Sequence, residues 1–569
     1  MAFGKTSVRE PIAIGDREID PKTPTTRKWL RRISGTLLSA ICWWGVVTEG
    51  VWGNSITNRE LQVGVVQRFG REARDKLIFK PMSGDRLFVR FEGGDGTPVT
   101  QSVNELELEI EMKPLAQPIV EERLVLSTHR SFENAEQSAQ DWRKQGLEVE
   151  LAYPGRWQVW AKREVYSTPL LRRLLLQSLQ AQGNELAFLD TEIRQQVPQP
   201  TWVVDGFRYH RDRLEIFANN NRIQVSKGKD DRNPRLYGGT LRVQPDAYGS
   251  FTVVNDVKME TYLRGVVPHE IGANAPDAAV EAQAIIARTY ALRNLRRFAI
   301  DNYELCASTQ CQVYKGLGQT WEPADIAIAA TAGKVLTYNN ELVDALYSST
   351  TGGITSPYND MWDGEGRPYL TAVIDSVANL WDLSRNSLAS EQNFRRFLSL
   401  EKGFNEEEWD LFRWREFSPL AQTNEDLKEY LVEKKHALAN FNTVTGIEVV
   451  ERSRAGRAIA VKATTDKGSI ILRKDEILRA FYAPLSTFFY VERVYGADKT
   501  LKGYAFVGGG FGHGVGLSQT GSHKLAKLGW SSVRILEFYY PGTQIETLHE
   551  DIIFWRDPLE SLPPTASQG

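Results

Sequence analysis

Hydrophobic and polar positions near the amino end alternate in short runs. Leu61-Gln62-Val63-Gly64-Val65-Val66, Leu77-Ile78-Phe79 and Leu87-Phe88-Val89-Arg90-Phe91 predict strands divided by Gly- and Asp-containing turns, and Leu106 to Met112 predicts one more. Pro114 and Pro118 then break the pattern and read as a linker. These runs predict a small β-rich unit over residues 55–118.

The period changes from two to 3.6 in the next segment. Leu124-Val125-Leu126-Ser127 reads as a strand. Glu133 to Gln145 places Ala135, Ala139 and Trp142 on one helical face and stops at Gly146. Leu147–Leu151 and Trp157–Ala161 read as strands, and Pro169–Ala181 as a second helix. This strand-helix-strand-strand-helix order over residues 119–185 resembles the SPOR domain, which implies a module that binds peptidoglycan glycan strands.

From about Val197 the pattern is strand-rich again, at Trp202–Val204, Leu214–Phe217, Leu241–Val243 and Phe251–Val254. Pro276 and Asp277 suit the first turn of a helix, where a missing donor is harmless and negative charge is favourable. Val280, Ala284, Ala287, Ala291 and Leu295 fall on one face of that helix, and their small size predicts close packing on that side. Residues 379–440 are polar and rich in Glu and Lys, and predict a helical insert. Strands resume at Ile447–Val450 and Ala458–Val461. The Gly-rich run Gly508 to Gly516 follows, then two short helices that stop at Pro541-Gly542. The expected class is α+β, multidomain and strand-rich, with one domain over residues 197–556 and a disordered tail over 557–569.

Composition narrows the function classes. The chain has 569 residues, 41% hydrophobic and 25% charged, with net charge −3, so it offers no basic field for nucleic acid. Its 15 Trp and 20 Tyr serve a core first, although flat rings also suit sugar faces. Arg27, Lys28, Arg31 and Arg32 precede an apolar stretch from Ile33 to about Val47, the pattern of a secretory signal or short anchor. Residues 1–54 are therefore expected to be a cytoplasmic tail and signal or anchor. The protein is expected in the cell envelope, held in the plasma membrane by the segment near residues 33–52. Of the three cysteines, Cys306 and Cys311 are close enough for a small disulfide loop; free thiols or half a metal site fit the spacing as well.

One carboxylate stands out. Glu270 ends Tyr262-Leu263-Arg264-Gly265-Val266-Val267-Pro268-His269-Glu270, a few residues ahead of the small-residue helix, and reads as lying at a strand-to-helix junction. Three further segments follow it in order: Cys311-Gln312-Val313-Tyr314-Lys315-Gly316; Tyr347-Ser348-Ser349-Thr350-Thr351-Gly352-Gly353; and Gly508 to Gln519 with Tyr539-Tyr540-Pro541-Gly542-Thr543. Together they resemble the stage II sporulation protein D (SpoIID)/LytB family.

The resemblance implies a lytic transglycosylase acting on peptidoglycan, with Glu270 as the single acid/base. It implies substrate-binding or positioning roles for Arg288, Tyr347, Ser348, Ser349, His513 and Gln519. Zinc occurs in some relatives, but Gln310 stands where the family often has His, so no metal or other cofactor is expected here. Glu281 stands at a helix position commonly Lys, which removes or inverts any groove contact made there. The alternative reading is a non-catalytic, glycan-binding modifier of a cell-wall amidase, a role known for LytB-type relatives. Expected partners are glycan strands, a membrane and, under the alternative, an amidase.

Overall fold

The computed structural model describes residues 56–559, apart from 185 and 230. The expected anchor near residues 33–52 lies outside them, as does the tail from residue 560. Among the described residues no helix is long and apolar enough to cross a membrane. The fold is α+β and strand-rich.

The strands read at the amino end do not form a unit of their own. Glu60–Phe69 runs antiparallel to Phe251–Lys258 and parallel to Leu305–Cys306. Leu87–Glu92 joins the same seven-stranded sheet by pairing with Leu214–Ala218. The reason is the alternation itself. Leu61, Val63, Leu87 and Val89 make one apolar face that a unit of this size cannot cover, and it is buried against Val253, Val257, Ala284 and Ala287. The expected linker is likewise part of one long strand, Leu106–His129, paired with Phe188–Val204. Pro114 and Pro118 are accommodated where its register shifts, between Pro114 and Ile119.

That ribbon carries the module at 119–185. Its helices Phe132–Lys144 and Pro169–Ala181 are capped by the side chains of Ser131 and Thr168, which accept from the N–H groups of Asn134 and Leu171. Ala135 and Trp142 are buried, as their spacing predicts. The module is docked by Glu136, paired with Arg296, and by the Arg297 guanidinium, 4.4 Å from the Phe132 ring centroid.

The central helix is Asp277–Arg293. One buried face is expected; the helix is in fact enclosed on nearly every side. Val280, Ala284, Ala287 and Ala291 face the sheet core, and Ala282, Ile285, Ile286 and Tyr290 belong to a second core with Leu525, Ile535 and Leu536 of the C-terminal helices. Small side chains let a sheet and two helices approach one axis.

The insert is neither purely helical nor limited to residues 379–440. It contains the helices Glu391–Leu398 and Leu420–Glu433, and the strand Trp414–Pro419 that pairs with Leu501–Gly508. The strands read at 447–461 belong to it too, in a separate three-stranded sheet, Val444–Arg452, Ala458–Thr465 and Gly468–Arg473. Trp414, Leu427, Val461 and Phe506 share a core of their own. The polar surface pattern hid this core because its strands lie far downstream of its helices.

Candidate active site

Glu270 sits on a one-turn helix, Val267–Ile271, between the short helix Met259–Arg264 and the central helix, and not at a strand-to-helix junction. Gly265 makes the bend between the first two. A Cβ there would lie 2.5 Å from the Tyr314 ring and 2.8 Å from the Gly316 carbonyl oxygen, so only glycine admits the Cys311–Gly316 segment alongside. The contact brings the N–H of Val313 to Glu270, where it donates to Oε1 at 2.7 Å.

Two side chains complete the surroundings of the carboxyl, with two more behind them. Tyr347 and Gln519 hydrogen-bond it, and the Gln519 amide also donates to the Glu270 carbonyl at 2.7 Å. The Tyr347 hydroxyl accepts from the Gln312 Nε2 at 3.2 Å, and the Gln312 Oε1 accepts from the Tyr262 hydroxyl at 3.3 Å. With its acceptor role taken by Gln312, the Tyr347 hydroxyl directs its own hydrogen at Glu270.

Burial raises the Glu270 pKa above the usual carboxylate range, while Val313, Tyr347 and Gln519 hold it back by stabilising the charged form. The groups that set its proton affinity are thus all neutral. Glu270 as a residue keeps partial exposure, and its helix ends at the exposed Gly272, while the carboxyl itself is enclosed. Its neighbour His269 is pushed down to about 4, by burial and then by Lys315 and Arg235, and is uncharged at neutral pH.

The remaining expected residues divide. Tyr347 and Ser348 form a short strand parallel to Leu517–Ser518. The Ser348 hydroxyl is buried without a partner among the described residues, and the Ser349 carbonyl accepts from the N–H and hydroxyl of Thr520 at 3.1 and 3.0 Å. His513 is pushed down to about 4, chiefly by burial. Its Nδ1 accepts from the Val515 N–H at 3.0 Å and its ring hydrogen-bonds the Tyr347 backbone, so it fastens the Gly-rich loop to the strand behind Glu270.

Arg288 is elsewhere. Its guanidinium is fully buried, donates to both Glu260 oxygens at 2.9 and 2.7 Å and to the Lys334 carbonyl at 3.0 Å, and makes no hydrogen bond to Glu270 among the described residues. Its role is helix packing, which the spacing from Glu270 alone does not reveal. Glu281 accepts from Ser532 at 2.7 Å, so this departure from the family pattern also falls in a helix-packing contact.

Gln312, Val313 and Tyr262 carry functions that the sequence reading does not assign, although all three stand inside its motif segments. Their signal is adjacency to residues that cannot vary in size, Gly265 and Gly316. Cys306 and Cys311 are joined in a disulfide, with Cα atoms 5.6 Å apart, immediately before Gln312. The Gln310 Oε1 accepts from the Trp157 Nε1 at 3.2 Å. With both thiols joined and Gln310 engaged, these residues do not fit a zinc site.

Comparisons with known proteins cover these segments. Residues 247–338 match the family model described as stage II sporulation protein (SpoIID), and residues 356–516 match a domain of unknown function (DUF8618). The second match coincides with most of the inserted body. Over 403 residues the chain is 26% identical to the amidase enhancer of Bacillus subtilis (strain 168), covering 63% of this chain and 52% of that protein, so it spans about half of that relative's length. It is 26% identical over 366 residues to stage II sporulation protein D of the same organism, covering 61% of this chain and 91% of that protein. An uncharacterized protein of Brachyspira hyodysenteriae (strain ATCC 49526 / WA1) is 26% identical over 315 residues, covering 54% and 72%. Over residues 247–338, which hold Glu270, the central helix and the disulfide loop, the chain is similar to the stage II sporulation protein (SpoIID) family.

Proposed function

We propose that the protein works on the bacterial cell wall as a peptidoglycan lytic transglycosylase, with Glu270 as its only acid/base. One observation carries this reading: a carboxyl on a partly exposed residue, its pKa raised by burial and its hydrogen-bonding surroundings all neutral. Protonated Glu270 gives its proton to the glycosidic oxygen between N-acetylmuramic acid and N-acetylglucosamine, and the C1–O bond breaks. The resulting carboxylate takes the proton of the same muramic acid's C6 hydroxyl, whose oxygen bonds to C1. The products are a 1,6-anhydro end and a free 4-hydroxyl end. No water is consumed, so the second carboxylate of a hydrolase is unnecessary.

Val313, Tyr347 and Gln519 suit the second half of this cycle, since each stabilises the carboxylate left after proton transfer. The envelope location and the glycan-binding role of the module at 119–185 belong to the same proposal. Incubating the protein with glycan strands, with and without stem peptides, tests it by mass spectrometry. Wild type produces 1,6-anhydro ends and Glu270→Gln does not; absent or equal ends would refute the reading.

The amidase-enhancer relative favours a second reading, in which the protein stimulates a cell-wall amidase. Amidase rates raised equally by wild type and Glu270→Gln, in the absence of anhydro ends, would select it.

A further inference from the structure

The inserted body reaches under the site with three ionisable side chains, Glu406 and Arg457 buried and Arg413 half-buried. Glu406, 1% exposed, accepts from the Thr351 N–H at 2.5 Å, the Thr351 hydroxyl at 3.0 Å, the Gly353 N–H at 2.7 Å and the Ser518 hydroxyl. Arg413 donates to the Gly352 carbonyl at 2.9 Å, and Arg457 to the carbonyls of Thr351 and Ile354 at 2.9 and 3.1 Å. Donors and acceptors of the Thr351–Ile354 backbone are therefore both taken by the insert. This turn continues directly from Tyr347–Ser349, and Ser518 directly precedes Gln519. Gly352 allows the turn to touch the Gly-rich loop, since a Cβ there would lie 2.7 Å from the Gly509 carbonyl carbon.

Asp375 is buried beside Glu406, and two neighbouring carboxyls in the interior do not both ionise. The hydrogen-bond pattern places the proton. Glu406 has four donors directed at it. Asp375 has Asn405 at 2.8 Å and Tyr539 at 2.9 Å, both on Oδ1, and none on Oδ2. The negative charge belongs on Glu406 and the proton on Asp375. Burial, and then the charge of Glu406, raise the Asp375 pKa well above its ordinary value, in keeping with this assignment.

We infer that the insert is part of the active site: Glu406 is a positioning residue that, with Arg413 and Arg457, fixes Thr351–Ile354 and Ser518 so that Tyr347 and Gln519 stay on Glu270. The inference rests on the reading of Glu270 as the acid. Hydrogen exchange followed by mass spectrometry on the full chain tests the cradle without turnover. Glu406→Gln, which removes the charge the donors need, loses at least about tenfold protection over residues 347–354 and 517–521. Asp375→Asn, which copies the protonated carboxyl, keeps the wild-type pattern. Equal behaviour of the two variants overturns the charge assignment. If Glu406→Gln does not fold, the isosteric Thr351→Val removes one donor and lowers protection about threefold over 347–354 only; no change overturns the cradle.

In turnover on glycan strands, Glu406→Gln lowers kcat about tenfold and leaves KM within about threefold, because the acid is misplaced while the groove remains. A kcat within twofold of wild type overturns the link to Glu270. A wild type without anhydro ends would remove the transglycosylase reading, and the exchange contrast still decides the cradle.

Discussion

Two buried carboxyl sites, about Glu270 and about Glu406, differ in ways that separate chemistry from architecture. Both lie against the Tyr347–Ile354 segment. At Glu270 the residue is partly exposed, and the donors to its carboxyl come from Val313, Tyr347 and Gln519. At Glu406 the carboxyl is sealed, stands beside Asp375 and spends its acceptors on backbone and hydroxyl groups. Burial acts on both sites, so a raised pKa by itself does not mark an acid catalyst. Of the two, Glu270 is the one on a partly exposed residue, and the proposed chemistry is assigned to it for that reason.

This contrast is open to graded tests. The largest effect expected on stability comes from a third carboxylate, Glu260. Arg288→Met leaves the half-buried Glu260 without its partner and costs about 3 kcal/mol of unfolding free energy, the low end for a buried pair because water still reaches Glu260. The pH profile of any remaining activity keeps its shape, because Arg288 does not touch Glu270; a profile moved by a full unit would restore the role that the family resemblance implies for it. Replacing Cys306 and Cys311 by Ser removes a short covalent loop and costs about 2 kcal/mol in denaturant titration. The loss of activity exceeds the loss of stability, since the loop leads directly into Gln312 and Val313. Equal losses would make the disulfide a remote staple.

The smallest effect has the most specific sign. Activity that needs protonated Glu270 is full below its pKa and falls as pH rises through it. Tyr347→Phe removes a donor that stabilises the carboxylate, so the pKa rises further and the alkaline limb moves to higher pH by roughly half to one unit, or about 1 kcal/mol. Gln312→Met, which unfixes the Tyr347 hydroxyl, moves it in the same direction. A downward shift in either variant would contradict the assignment of the Tyr347 hydrogen.

Local pattern revealed the parts of this molecule that local forces specify. The 3.6 period from Val280 to Ala291 gave the central helix, and four ordered motifs brought Glu270, Tyr347 and Gln519 into one expected site. Long-range pairing was not legible. Nothing in Leu61–Val66 says that it lies beside Phe251–Lys258, because alternation fixes which face is buried and not which strand buries it. Arg288 stands near Glu270 in the chain, yet helical geometry turns it toward Glu260. Glu406 stands in an acidic surface-like run, Glu406-Glu407-Glu408, and its burial depends on Thr351, Gly353 and Ser518 from distant segments.

The central claim is that a lone carboxyl at position 270 both gives and recovers one proton. Mass spectrometry of glycan strands digested in water enriched in oxygen-18 tests it most directly. The account predicts 1,6-anhydro ends without incorporated label from wild type, and no cleavage from Glu270→Gln. Reducing ends carrying oxygen-18, or anhydro ends undiminished in Glu270→Gln, would contradict it.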